Sequence, residues 1–364
     1  MNAAAVRRFE SLAAHPLLWP ATTLVVLLAI SAFTNPGFLH LEWVNGHLRG
    51  NLIDVLNRAA PLMLVSLGMT LVIAIRGLDI SVGAVVAITA AVAALLVGGS
   101  LNANDAGEVS RFPLAIVFAG ALGVAALCGL WNGLLVVKAG MQPIVATLIL
   151  MVAGRGVAQL ITDGQILTIY YPPYFFIGNG YLLGVPAALV VAGLVALLAH
   201  LALTRTALGL FVRSIGINPV AARGAGVRSR LITICLYVFC SLTAGIAGLI
   251  VSANVRSADS NNAGQLMELD AILAVTLGGT SLNGGAFSLA GTLVGALIIQ
   301  TLTSMIYSMG VPPEANLVVK AVLVFAVMLL QSTEFRASVK RLVFRRTPAT
   351  DGTAPDTLNA DERA

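Results

Sequence analysis

The sequence predicts an all-α polytopic membrane protein of about ten transmembrane helices, with two related halves and broken helices near the centre. Three observations carry this. Of the 364 residues, 58% are hydrophobic and 10% charged, against about 25% charged in an ordinary soluble domain. Apolar runs of span length follow one another along nearly the whole chain. A glycine-rich octapeptide recurs in the second half, again between apolar runs. At a mean hydropathy of +0.93, most apolar side chains must face lipid or neighbouring helices. The same composition excludes disordered, collagen-like and disulfide-scaffold chains.

A span needs about 20 apolar residues, because each rises 1.5 Å through about 30 Å of hydrocarbon. Such runs lie at 17–34, 52–75, 80–99, 112–137, 141–162, 184–203, 231–252, 287–308 and 315–331. A shorter run at 268–282 ends in glycines. Arg7 and Arg8 precede the first run, and Lys340, Arg341, Arg345 and Arg346 follow the last. Both termini are therefore expected in the cytoplasm, which demands an even number of crossings. Counting 268–282 as a crossing gives ten. Lys138, Arg205, Arg213, Arg223, Arg228 and Arg230 then fall inside, and Arg49, Arg111 and Arg256 outside. Eight spans plus re-entrant segments is the alternative.

The first run imitates a secretory signal, but with nine further spans it is expected to stay as an anchor. Residues 1–15 are expected to be cytoplasmic, and 16–332 to form the membrane domain. The polar stretch 333–364, with Pro348, Gly352 and Pro355, is expected to be a disordered cytoplasmic tail. The net charge of +5 comes from cations scattered over short connections, not from a basic domain, so no nucleic-acid partner is expected. Cys128, Cys235 and Cys240 lie inside apolar runs with no His or Cys cluster beside them, so no metal site is expected.

The repeat is Gly77-Leu78-Asp79-Ile80-Ser81-Val82-Gly83-Ala84, echoed as Gly279-Thr280-Ser281-Leu282-Asn283-Gly284-Gly285-Ala286. Both fit G-x-x-[IL]-[SN]-x-G-A. Paired glycine interruptions in hydrophobic segments point to a transporter's substrate path. The glycines let the chain leave the helix, and the freed backbone groups must then face protein or a cavity.

Several intramembrane polar residues admit two readings. Asp79 lines the path or pairs with Arg76 at the turn. Asp54, Asn57 and Arg58 share a helical face, where an Asp54–Arg58 pair accounts for the charges without a ligand. Arg155, in the small-residue stretch Ala153–Gly156, binds sugar hydroxyls or caps carbonyls of a neighbouring helix. Glu268 and Asp270 suit the positive end of a helix. The loop 204–230 has its own grammar: Asn218 fits an N-cap, Pro219 the first helical position and Gly226 a C-terminal stop. A short capped helix there is suited to docking into a partner's groove.

Energy coupling has no source within the chain. Lys138, Lys320 and Lys340 each follow valine, so no P-loop Gly-Lys exists. Neither G-x-S-x-G nor H-E-x-x-H occurs, so no catalytic residue is expected. Any ATPase must be another polypeptide.

Four segments in order carry a family resemblance: LGMTLVIAIRGLDISVGAVVAI (67–88), GLWNGLLVVKAGMQPIVATLILMVAGRGVAQLITDGQ (129–165), GINPVAARGAGV (216–227) and ELDAILAVTLGGTSLNGG (268–285). Over about 50–332 the chain resembles the ribose-type sugar permeases of bacterial ABC importers. LNRAAP (56–61), the 141–165 stretch, NNAGQLMELDAILAV (261–275) and PPEANLVVKAV (312–322) most resemble the galactofuranose branch.

The resemblance implies ten helices per subunit in the bacterial inner membrane. It implies a second permease subunit, identical or similar, and a periplasmic sugar-binding protein. It also implies a cytoplasmic ATP-binding subunit that carries ATP and Mg, leaving this chain without a cofactor. Gly216, Asn218, Ala221, Ala222, Arg223 and Gly226 would form the coupling helix. The residues expected along the substrate path are Asn57, Arg58, Gly77, Asp79, Ser81, Gly83, Asn132, Gln142, Thr147, Arg155, Asp270, Gly279 and Ser281. Arg76 departs from the family pattern, which usually has a small residue there. The expected cargo is galactofuranose or a similar monosaccharide, with ribose, another pentose, inositol or autoinducer-2 as alternatives. An ion-coupled secondary sugar transporter is the alternative of another class.

Overall fold

The computed structural model describes residues 17–35, 37–44, 46–98, 112–310 and 312–331. The expectations for 1–15 and 333–364 lie outside the described residues. Thirteen α-helices occur among them: α1 (Leu18–Thr34), α2 (Asn51–Ala74), α3 (Val82–Val97), α4 (Leu114–Val137), α5 (Pro143–Ile161), α6 (Phe176–Asn179), α7 (Ala187–Arg205), α8 (Leu208–Ile217), α9 (Pro219–Gly224), α10 (Ser229–Val255), α11 (Met267–Leu277), α12 (Leu289–Ser308) and α13 (Pro313–Gln331). Every apolar run named above overlaps one of these helices, with ends that differ by up to a few residues. By length and composition, α2, α4, α5, α7, α10 and α12 are long and apolar enough to cross a membrane. The run at 268–282 is helical only over its first part. With 11 residues, α11 rises about 17 Å, roughly half a bilayer core.

α2 and α3 form the centre. From Ala59 to Ala74 every residue of α2 is buried, and α3 is buried along nearly its whole length. Small residues allow this close packing, as is usual between membrane helices. A Cβ on Gly68 would lie 2.7 Å from Cys240 Cα in α10, and one on Gly248 would lie 2.6 Å from Val86 O in α3. The peripheral helices instead present large apolar side chains outward, among them Phe33, Leu127, Val152, Leu160, Leu198 and Phe325. In water such a surface would be unstable; against lipid chains it is the matching solvent.

Short antiparallel pairs tie the connections at one end. β1 (Glu42–Val44) pairs with β2 (His47–Arg49), and β4 (Tyr181–Leu182) with β5 (Val185–Pro186). β3 (Ile166–Thr168), after α5, pairs with β6 (Ser257–Asp259), after α10. The breaks after α2 and α11 and the α8–α9 segment gather at the opposite end.

Candidate functional site

The chain leaves α2 at Ala74 and does not re-enter a helix until Val82. Arg76 sits in the left-handed region, at φ 65°. Its side chain turns away from Asp79 and caps α8: Nε donates to Gly216 O at 2.6 Å and Nη2 to Ile217 O at 2.7 Å. The Arg76–Asp79 pair is thus not formed. Asp79 is fully buried, and its Oδ1 accepts from Ser81 Oγ at 2.6 Å and Ser81 N at 3.0 Å. Asn132 of α4 donates to Ser81 Oγ at 2.8 Å. Thr147 of α5 reaches the freed backbone on one side: its Oγ1 accepts from Ile80 N at 3.3 Å, and donates to Pro143 O within its own helix at 3.0 Å. Asp79, Ser81, Asn132 and Thr147 therefore hold the break in shape as a buried polar cluster, in which Asp79 Oδ2 and Asn132 Oδ1 are left without a hydrogen-bond partner.

The second break relies more on backbone freedom, with Thr280 Oγ1 accepting from Ser288 N at 3.3 Å. Gly279, Gly284 and Gly285 all have positive φ, at 84°, 78° and 87°. Ser281 is exposed, and its hydroxyl accepts from Asn283 N at 3.2 Å. Gly285 N donates to Ala74 O at 2.9 Å, closing the end of α2. The two breaks and α8 therefore share one junction. Gly216 belongs to its tightest point, since a Cβ there would lie 2.0 Å from Ala74 O and 2.4 Å from Gly285 N.

α9 follows directly. Asn218 Oδ1 accepts from Val220 N and Ala221 N, both at 3.0 Å, as the sequence predicts. At the other end Gly226, φ 83°, donates to Arg223 O and Val227 N donates to Ala222 O. That pair of bonds is a Schellman motif, which needs a residue in the left-handed region. Ala221 and Arg223 are exposed and Ala222 is buried. Arg76, Gly77, Pro219, Arg223, Arg230 and Tyr237 line a cavity of about 340 Å³ between α9 and the first break.

Between the two ends, the N-termini of α3 and α11 abut. A Cβ on Gly83 would fall 2.4 Å from Gly264 O and also against the carboxylate of Glu268. Arg155 donates to carbonyls of the loop before α11, not of a helix: to Ala263 O at 2.6 Å and Ser260 O at 3.1 Å. The neighbouring Asp259 feels opposing influences. Burial pushes its carboxyl up, but hydrogen bonds from Asn262 and Asn261 and the Arg155 charge hold it below its ordinary value. Asp270 pairs with Lys320 of α13 at 2.6 Å. Gln142 lies exposed at the start of α5.

The far end of α2 is different. Asp54 and Arg58 stand one turn apart, yet no ion pair joins them. Among the described residues the ion pairs are His40–Glu42 and Lys320–Asp270. Both Asp54 and Arg58 line two adjoining cavities of about 500 and about 460 Å³, together with Gln300 of α12. Asn57, Asn179 and Asn254 line the second cavity. Asn57 Nδ2 donates to Gly178 O at 3.3 Å, while Asn57 Oδ1 and Asn254 Oδ1 are buried without a hydrogen-bond partner. Of the expected path residues, the structure puts Asn57 and Arg58 on this cavity and Gly77 on the opposite one. Asn179, Asn254 and Gln300 escape a sequence reading because each is a single amide in or beside an apolar stretch.

The permease component of the branched-chain amino acid transport system is the description of the family that matches residues 51–328. The chain belongs to this permease family. It is 48% identical to the galactofuranose transporter permease protein of Escherichia coli K12, over 92% of this chain and 94% of that one. A fructose import permease protein of Bifidobacterium longum is 37% identical over 91% and 93% of the two chains. A ribose import permease protein of E. coli K12 is 36% identical over 85% and 91%. No solved structure matches. These three relatives are named as sugar permeases, although the family is described by amino acid transport. The chain is accordingly a multi-pass membrane permease of the sugar-importer type.

Proposed function

We propose that this chain is the membrane subunit of an ATP-driven importer for galactofuranose or a similar monosaccharide. In this reading 16–332 crosses the bilayer ten times as two related halves, with both termini in the cytoplasm. It works beside a second permease subunit and takes sugar from a periplasmic binding protein. ATP and Mg belong to a separate cytoplasmic subunit, which docks on the loop 204–230 through Gly216, Asn218, Ala221, Ala222, Arg223 and Gly226. The chain itself catalyses no covalent step. Binding and hydrolysis of ATP elsewhere shift the balance of inward- and outward-facing states.

The observation that carries the reading is the junction at Arg76. It ties the capped α8–α9 segment to both glycine breaks, so a push on α9 reaches both interruptions through hydrogen bonds and close backbone contacts. The test is purification of a tagged chain from its host in mild detergent, followed by mass spectrometry. Stoichiometric recovery of an ATP-binding protein, lost in Arg223→Glu while membrane insertion persists, is expected. A chain that comes out alone and moves sugar down an ion gradient would overturn the reading.

A further inference from the structure

We propose that the cavity between α9 and the first break binds the dianion of a phosphate monoester, of the class formed when an imported monosaccharide is phosphorylated in the cytoplasm. Its effect on uptake rests on the importer reading; its occupancy does not.

The residues lining this cavity of about 340 Å³ include three arginines and no acid. They come from three segments: Arg76 from the first break, Arg223 from α9 and Arg230 from the start of α10. None of the three is in an ion pair among the described residues. Asp79, the acid of the break, is fully buried and does not line the cavity. Arg76 uses Nε and Nη2 on carbonyls of α8, which leaves Nη1 to donate. Cations on inner connections set topology, but topology does not require them to converge on one cavity. Hydroxyls stand beside them. Ser229 and Thr233, one turn apart on α10, both line the cavity. Ser229 is only 8% exposed. Its hydroxyl makes no hydrogen bond among the described residues yet keeps accessible surface, unlike the sealed hydroxyl of Tyr237 beside it. A buried polar group left open to a cavity calls for a partner there.

The donors set the class of ligand. A guanidinium only donates, so three of them with two hydroxyls need a ligand rich in acceptors and negative in charge. The two oxygens of a carboxylate offer about four lone-pair sites and one charge. A phosphate monoester offers three strong acceptor oxygens and up to about two charges, in a geometry that guanidinium groups match well. The cavity lies at the small end of the range of small-molecule sites, with room for the phosphate and a single sugar ring. Val136 and Ile215 supply apolar wall for the C–H face of that ring. A phosphate held there joins the break, α9 and α10. In the importer reading these are the segments through which a push on α9 travels, so occupancy opposes their relative movement and slows import.

The experiment is isothermal titration calorimetry of the permease–ATPase complex in phosphatidylcholine nanodiscs, using D-galactose 6-phosphate, D-galactose and D-galacturonate. Wild type is expected to bind D-galactose 6-phosphate at least about ten-fold more tightly than either of the others. Arg230→Gln should weaken that binding about ten-fold and, independently, Ser229→Ala about three-fold. Equal affinity for D-galacturonate would make this a carboxylate site, and unchanged affinity in both variants would put the anion elsewhere; either result overturns the proposal. So would binding abolished by exchanging the disc lipid for phosphatidylglycerol, which would assign the arginines to lipid headgroups. In proteoliposomes, D-galactose 6-phosphate added on the ATPase side is expected to slow ATP-driven D-galactose uptake several-fold in wild type and much less in Arg230→Gln. Wild-type uptake indifferent to it would overturn the effect on import. Uptake that proceeds without ATP ends the importer reading and leaves the titration standing, whereas a failed titration beside ATP-driven uptake ends this site alone.

Discussion

The first glycine break, between α2 and α3, and the second, between α11 and α12, share a sequence pattern but are held by different chemistry. Asp79, Ser81, Asn132 and Thr147 tie the first with side-chain hydrogen bonds inside a fully buried cluster. The second has no such cluster. Its turn is built from glycines at positive φ, and its neighbouring helices touch through backbone: a Cβ on Gly291 would lie 2.0 Å from Gly278 O. The difference follows from what occupies each matched position. In the repeat Asp79 is matched by Ser281, and Ser81 by Asn283, so only the first copy brings a carboxylate that can gather donors around it. Similar loops can thus leave a helix by polar satisfaction or by conformational freedom.

Substitutions that exchange these two solutions give the sharpest tests. The largest effect is expected from Gly291→Ala, where the added methyl has no room against backbone that cannot rotate away. Overpacking of this kind costs about 3 kcal/mol, so a clearly lowered unfolding midpoint in detergent and loss of uptake are expected. Next is Asp79→Ala, which strands the Ser81 hydroxyl and amide and weakens the hold on Asn132. A buried orphaned polar group costs about 1–3 kcal/mol, and calorimetry should register a drop of about 2 kcal/mol.

Arg76 gives a smaller and more diagnostic pair. Arg76→Ala and Arg76→Gly both lose the two hydrogen bonds to α8, but glycine also relieves the left-handed backbone, worth about 1 kcal/mol. The expected order of unfolding midpoints is wild type, then Gly, then Ala. An Ala variant more stable than the Gly variant would mean that Arg76 is not held at positive φ. The smallest effect is expected from Ser281→Ala, within about 0.5 kcal/mol, because that hydroxyl is exposed and serves one local amide. A loss as large as that of Asp79→Ala would erase the contrast between the breaks.

Much of this architecture is legible in the sequence, for identifiable reasons. Apolar runs of span length become helices because lipid leaves the backbone few alternatives. The α9 caps are readable because Asn218 and Gly226 act within a few residues of themselves. Long-range partners are not readable in this way. Arg76 bonds carbonyls 140 and 141 residues away, and backbone acceptors leave no trace in side-chain identity. Asp270 finds Lys320 fifty residues on, across a helix pairing that periodicity does not specify. The spacing of Asp54 and Arg58 suggests a helical ion pair, yet both are exposed along the cavities and the pair is not made. The expected path residues therefore divide: Asn57 and Arg58 line the cavity at the N-terminal end of α2, Asp79, Asn132 and Thr147 support the first interruption, and Arg155 holds the loop before α11.

The central claim is that sugar movement through this chain is driven by ATP bound elsewhere and delivered through the junction of α9 with the two breaks. Uptake of a radiolabelled monosaccharide into proteoliposomes containing the assembled complex, with ion gradients collapsed by ionophores, tests it most directly. Uptake is expected to require ATP, to survive the ionophores and to fall sharply in Arg223→Glu. Uptake by this chain alone that follows an ion gradient and ignores ATP would contradict it.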